Sequence, residues 1–404
     1  MELNLTRKLN IILTSCLLVV ALAVTLITGI TFKKFKNSDI YFDTSKCTSI
    51  QKFSDYSPSL KGTIGDSNIY VIDSGVEGPS IMIIGGTHPN EPAGQLAATL
   101  LLENLTVTKG KVFIITECNR SAYGYSYPLE ASPMYYQIET QNGTRTFMFG
   151  TRATNTTEQW PNPDVYVHNP SGQKLSAGET RNLNRCYPGK IDGTYTERVA
   201  YAVTECIRQN QIQITIDLHE ASPEYVTINA MIYHERAANL VARAQMYMDD
   251  DHDVKISVEP SSKNLHGLTH RELGDHTAVY DDEGNMIFPG TLALICETSN
   301  ASQGKIRGAF TTDIIVDGTK DKYYSLINEK DQERDPSDKI LYAAPVSIDE
   351  RVARHVLSVM SIIQAYNKTY KEYNEALGKF GIDDVPDYED ILSKGLGYYL
   401  SDPV

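Results

Sequence analysis

Cysteine is scarce in this sequence. Six cysteines are spread over 404 residues, and no two of them form a Cys-x-x-Cys pair. That spacing excludes a disulfide-built scaffold and a cysteine zinc cluster, leaving room for one or two bridges at most. Basic residues are also in short supply: 37 lysines and arginines face 51 acidic residues, a formal charge of −14. Such a balance argues against nucleic acid, and against an anionic membrane surface, as the main partner, because both need basic patches. Internal repeats are absent as well. What is present is an ordinary apolar content of 41% with 22% charged residues, the composition of a packed globular body. The length suits one large domain or two smaller ones.

Long apolar runs are missing too, with one exception. Residues 11–32 carry no charge and are bracketed by Arg7 and Lys8 on one side and Lys33, Lys34 and Lys36 on the other. About 20 apolar residues suffice to cross a bilayer as a helix. Ala21-Leu22-Ala23 resembles a signal-peptidase site, but the apolar run continues well past it, which favours an uncleaved anchor. Leu13-Thr14-Ser15-Cys16 resembles a lipobox, preceded by too short an apolar stretch. The expectation is a single-pass membrane anchor over 1–37, with the remaining chain extracytoplasmic, although the flanking charges do not decide the orientation. A polar linker is expected over 38–61. Asn-x-Ser/Thr sequons stand at Asn104, Asn119, Asn142, Asn155, Asn300 and Asn367. Two of these, Asn119 and Asn300, follow strand-like runs on the expected active face. A glycan there would block access, so a cell that leaves them unmodified, plausibly a bacterium, is expected.

Strand-like runs occur at 68–72, 81–84, 112–116, 212–216, 225–228, 254–258 and 292–296. Helical spacing of apolar residues occurs at 93–105, 196–209 and 349–366. Strands alternating with helices predict an α/β sandwich on a parallel or mixed sheet, with the main domain at 62–370 and a C-terminal extension at 371–404. Residues 120–180 form an insertion rich in Tyr, Asn, Thr, Gly and Pro. Its tyrosines and the sole tryptophan, Trp160, predict that it is ordered. A second polar segment, 261–289, carries His266, His270 and His276 and reads as surface loop.

Three of the apolar runs finish on chemistry. The first, Ser80-Ile-Met-Ile-Ile-Gly-Gly-Thr, leads directly to His88-Pro-Asn-Glu91. The second ends in Asp217-Leu-His219, and the third in Cys296-Glu297. Ligands bind outside the carboxyl ends of strands in open α/β sheets, so parallel strands would bring these groups to one edge. His88, Glu91 and His219 then make three zinc-type ligands with a position left open for water. Glu297 is the free carboxylate able to take a proton from that water. Alone, His-x-x-Glu is a frequent pattern and reads equally well as a polar turn. Asp217 shares a strand face with His219 and either orients a ligand histidine or has a structural partner. Asn184-Arg185, on a loop closed by Pro188-Gly189, can grip a carboxylate through two parallel hydrogen bonds. An arginine paired with a surface acid is the plainer alternative.

These elements together resemble a known family. His88-Pro-Asn-Glu91, Asn182-Leu-Asn184-Arg185 with Tyr187-Pro-Gly, Asp217-Leu-His219 and the strand ending in Glu297 are similar, in order and interval, to motifs of the succinylglutamate desuccinylase/aspartoacylase family. That family belongs to the wider zinc carboxypeptidase-like group, and the resemblance covers roughly residues 64 to 300. It implies a three-layer α/β/α sandwich around a twisted mixed, mostly parallel sheet. It implies one Zn2+ held by His88, Glu91 and His219, with Glu297 as general base and acid. Asn184 and Arg185 would bind the substrate's free carboxylate, Arg185 also polarising the scissile carbonyl. The family usually has an aspartate where Asn182 stands. It also has a further substrate-binding arginine before the Asn-Arg pair, for which Arg181 is the near candidate and Arg152 the distant one. The expected function is a membrane-anchored zinc hydrolase that cleaves an amide next to a free carboxylate, its substrate an N-acyl amino acid or a peptide. A zinc carboxypeptidase acting on peptides, cell-wall peptides among them, and a non-catalytic binding protein on the same fold are the alternatives.

Overall fold

The computed structural model describes residues 2–36, 41–123, 133–223, 225, 227–304, 311–318 and 346–403. They form two compact units divided after residue 39. The first is one helix, α1 (Glu2–Lys36). Its segment Leu5–Thr31 has a mean hydropathy of 2.7 and no buried residue, so it is long and apolar enough to cross a membrane. A helix suits that solvent because it satisfies its own backbone groups.

The second unit is built on an eight-stranded sheet. In chain order its strands are β1 (Ser49–Lys52), β2 (Asn68–Asp73), β3 (Ser80–Ile84), β4 (Lys111–Ile115), β5 (Ile214–Ala221), β6 (Ala230–Tyr233), β7 (Ser257–Pro260) and β8 (Leu292–Ser299). Their spatial order is β1-β2-β4-β3-β5-β8-β6-β7. The central strands β4, β3, β5 and β8 run parallel. Antiparallel pairings join β1 to β2, β2 to β4 and β6 to β8. Parallel strands are covered on both faces, and all five residues of β3 are accordingly buried.

Alternation along the strands sorts two cores. Ile81, Ile83, Ile214 and Ile216 face the helices α2 (Pro92–Asn104), α4 (Ala238–His252) and α6 (Ile348–Tyr373). Met82, Ile84, Phe113 and Ile115 face α3 (Tyr195–Asn210), and Leu273 of α5 (Thr269–His276) joins them. The result is the three-layer sandwich expected. Each large apolar side chain so buried contributes about 1.5–3 kcal/mol, and a one-residue slip would exchange the two faces of a strand.

Several segments differ from expectation. The linker reading of 38–61 gives way to β1 and a short helix at Phe53–Tyr56, because Phe53 and Leu60 are fully buried anchors within an otherwise polar stretch. The extension at 371–404 belongs to the domain: Gly381–Asp383 pairs with Thr106–Lys109, and Ile391, Leu396 and Leu400 enter the core. The described residues of 225–228 are not in a strand; the strand is β6, which starts at Ala230, while Tyr225 and Thr227 border a cleft. Part of the insertion, 124–132, lies outside the described residues. The rest is ordered, with Tyr135–Thr140 paired to Gly143–Met148 over buried Tyr136 and Phe147. The segment carrying three histidines is not plain surface loop, because α5 occupies its centre and His270 is buried. All six cysteines are free thiols. Asn119 and Asn300 are buried, which leaves no room for a glycan at either.

Candidate metal centre and substrate cleft

The turn after β3 depends on glycine. Gly86 has φ +69°, and a Cβ there would meet the Thr116 carbonyl at 2.8 Å and the Tyr123 hydroxyl at 2.4 Å. Glycine alone fits such a backbone. The turn delivers His88, and Glu91 becomes the N-cap of α2 with Pro92 at the first helical position, where proline is favoured. On β5, Asp217 and His219 lie on the face toward α5 and Leu218 and Glu220 on the opposite face, by strand alternation. His219 and Glu297 are partners in the parallel register of β5 and β8. The three strand ends therefore meet at one edge.

There, His88 Nδ1 lies 2.8 Å from Glu91 Oε1, and His219 Nδ1 lies 2.9 Å from Glu91 Oε2. The other nitrogens are held from behind: His88 Nε2 at 2.9 Å from Asn182 Oδ1, and His219 Nε2 at 2.8 Å from Asp217 Oδ2. Asn182 Nδ2 donates to Glu179 Oε2 at 2.7 Å, which fixes its Oδ1 toward His88. Both back partners are acceptors, so each imidazole carries its proton on Nε2. With both rings neutral, each Nδ1 turns a lone pair toward the Glu91 carboxylate. Lone pairs facing an anion repel, and a cation between them removes the conflict. One ligand atom from each of the three residues lies within 4.8 Å of the others, and two imidazoles with a carboxylate are a zinc-type donor set. Without a cation, a second proton on His219 relieves the same conflict, as the electrostatics show. Burial disfavours charge on His219, but Asp217 and Glu91 outweigh it and raise its pKa well above the ordinary value. Burial likewise opposes ionisation of Glu91, yet His88 and His219 hold its carboxylate well below the usual range.

A second layer of polar groups locks this arrangement. Thr87 and Thr269 donate hydroxyls to the two oxygens of Asp217, at 2.8 and 2.7 Å. The Glu220 backbone N–H reaches Glu91 Oε2 at 3.1 Å. On the opposite face of β5, the Glu220 carboxylate pairs with Arg351 of α6 at 2.6 Å, both side chains 0% exposed. It also accepts from the Ala93 N–H and from Asn300. A buried pair this fully hydrogen-bonded fixes geometry more than it adds stability.

The centre opens into a cleft of about 870 Å³ whose walls include Arg152, Asn184, Arg185, His270 and Glu297. Glu297 Oε2 is shielded from solvent and has no hydrogen-bond partner among the described residues. Burial, opposed by His219 and assisted by Glu91, pushes its pKa up to about 8. Asn184 Oδ1 accepts the Thr269 N–H at 2.9 Å, which leaves its Nδ2 as the free donor. Arg185 is anchored by the neighbouring Asn184 carbonyl at 2.6 Å and faces Glu179 at 3.9 Å. Arg181 does not join them: it is buried, bonded to Asn162 and the Thr154 carbonyl. Of the two candidates for the further arginine, it is Arg152 that borders the cleft. Sequence reasoning underrated His270, whose only signal was its place among three polar-segment histidines. Glu220 was visible only as the residue after His219.

No protein-family model matches the chain, and no curated relative is found. Among solved structures it is similar to the product-bound ectoine utilization protein EutE (DoeB) of Ruegeria pomeroyi, at 16% identity over 59% of this chain and 56% of that one, with a TM-score of 0.33. A succinylglutamate desuccinylase from a Silicibacter species follows at 16% identity, 57% and 52% coverage and a TM-score of 0.32. A metallo-carboxypeptidase from Burkholderia cenocepacia matches at 10% identity, 81% and 66% coverage and a TM-score of 0.42. The match spans little more than half the length of the first two. These neighbours include members of the groups that the sequence motifs resemble.

Proposed function

We propose that this chain is a membrane-anchored, zinc-dependent hydrolase of an amide bond next to a free carboxylate, a deacylase of the succinylglutamate desuccinylase/aspartoacylase type. One observation carries the reading: two imidazoles, each anchored through Nε2, present Nδ1 to one carboxylate at a cleft where Glu297 Oε2 has no partner among the described residues. Zinc held by His88, Glu91 and His219 would supply a Lewis acid that polarises a carbonyl and acidifies water. Asn184 and Arg185, with Arg152 at the rim, bind the substrate carboxylate and so fix the scissile bond against Glu297. Glu297 takes the proton of the attacking water and passes it to the leaving nitrogen, the work for which a carboxyl with a raised pKa is suited. Arg185 adds positive charge where the carbonyl oxygen becomes an anion.

The size of the cleft, whose lining also includes Glu259 and Pro260, favours a peptide as the second reading, making the protein a carboxypeptidase. A purely binding protein has no use for a carboxylate with a shielded, unpaired oxygen at this position. The deciding experiment is an assay of the zinc-loaded, detergent-solubilised chain against N-acyl amino acids and short peptides. Release of the acyl group supports the deacylase, and release of a C-terminal residue the carboxypeptidase. A protein that binds both and cuts neither refutes the enzymatic reading.

A further inference from the structure

His270 is a buried side chain, 2% exposed, whose ring nitrogens have no hydrogen-bond partner among the described residues. Burying unpaired polar atoms is costly unless a ligand completes them. The ring does not sit in the apolar core. It lines the cleft together with Leu268, Ile295 and Ile232.

Its position is rigid. The preceding residue, Thr269, donates its hydroxyl to Asp217 at 2.7 Å and its N–H to Asn184 Oδ1 at 2.9 Å. The first turn of α5 is therefore tied to the backing of His219 and to the carboxylate clamp at once. Farther along, Gly274 packs against His234 so closely that a Cβ would stand 2.2 Å from its ring. Burial, with His219 adding to it, lowers the His270 pKa to about 3. The imidazole is neutral and offers one donor and one acceptor.

We infer that His270 is a substrate-contacting residue that reads the side chain of the amino-acid part of the substrate, selecting an amide or hydroxyl over a hydrocarbon of equal size. This rests on the hydrolase reading for the orientation of substrate. With the free carboxylate on Asn184 and Arg185, the side chain of that same residue lies on the α5 side of the clamp. Its stem meets the apolar wall of Leu268, Ile295 and Ile232, and its polar end meets the imidazole. A site built to hydrogen-bond a substrate group rejects analogues lacking it strongly, because its own buried atoms stay unpaired.

The test compares N-acetylglutamine with N-acetylmethionine on the zinc-loaded full chain. The wild type should prefer glutamine in kcat/KM by at least ~10-fold. His270→Leu should abolish that preference through loss on glutamine, and His270→Asn should restore part of it. Zinc content and thermal midpoint, measured on each variant, confirm that the fold and metal centre persist. An undiminished preference in His270→Leu, or a wild type that favours methionine, overturns the inference. Calorimetric binding of free glutamine and methionine separates the two hypotheses. If nothing is hydrolysed but the binding preference still disappears with His270→Leu, the side-chain reading stands and the hydrolase reading falls. If turnover occurs with unchanged selectivity, the reverse holds.

Discussion

Two clusters of histidine and glutamate lie in this domain, and by residue type they are nearly interchangeable. One is His88, Glu91 and His219. The other gathers His168, His266 and His276 around Glu272, whose carboxylate meets His266 Nδ1 at 2.9 Å and His276 Nε2 at 3.1 Å. His168, His266 and Glu272 also bring their ligand atoms within 4.8 Å of one another. The difference lies in the nitrogens that face away. In the first cluster both are committed to acceptors, so neutral rings turn their lone pairs on Glu91, a conflict that a cation or a second proton relieves. In the second, His266 and His276 are free to donate to Glu272, which also accepts the Gly267 N–H at 3.0 Å. His168 spends its Nε2–H on the Tyr187 carbonyl at 2.6 Å, and its Nδ1 meets Ser171. Protons satisfy the second cluster as it stands. Proximity of donor atoms does not distinguish the two clusters; the partners behind those atoms do.

The largest expected effect follows directly. Purified protein should hold about one equivalent of zinc, and His219→Ala should lose nearly all of it, since two ligands bind zinc poorly. His266→Ala should keep it. Atomic spectroscopy on the three proteins decides, and two equivalents in the wild type, one lost in His266→Ala, would break the comparison. Next in size is Glu297→Gln, which should fold and retain its zinc while kcat falls by at least ~10²-fold. Metal lost together with activity would make Glu297 a ligand instead. Smaller still is Asp217→Asn, which should weaken zinc affinity by about 10–100-fold through the orientation of His219. Competition with a chelator measures it, and an unchanged affinity would remove Asp217 from the role given to it here.

How much of this was legible beforehand varied with the kind of signal. The central strands and the helices α2, α3 and α6 were readable because two-sided burial and helical spacing leave dense apolar patterns. The edge strand β1 was not, since an edge needs few apolar residues and Ser49–Lys52 has one, Ile50. His88, Glu91, His219 and Glu297 were readable as strand-end residues, and the fold brings them to one edge of the sheet. Asn182 looked like a departure from the family pattern, yet its Oδ1 accepts the His88 proton as a carboxylate oxygen would. Arg181 and Arg152 could not be told apart by sequence, because the fold of the insertion decides which one reaches the cleft. His270 was hidden for a similar reason: its burial comes from the tie between Thr269 and two residues more than fifty positions away.

The smallest effect concerns the second cluster and its dependence on pH. Burial raises the pKa of Glu272, but the hydrogen bonds from His276, the Gly267 N–H and His266 outweigh it and leave the value below the ordinary 4.5. A carboxyl whose folded pKa is depressed stabilises the fold above the unfolded value, and that contribution disappears as pH falls through the folded one. Glu272→Gln should therefore cost about 2 kcal/mol near neutral pH, the range for hydrogen bonds to a charged group. The gap between wild type and variant should narrow as pH drops below 4.5. Taking the difference between the two proteins cancels titrations they share, including those of the metal centre, provided the sites are independent. Zinc content and kcat should be unaffected. A variant that instead loses metal would mean that Glu272 is a ligand after all, and the distinction drawn between the clusters would fail at its weaker member.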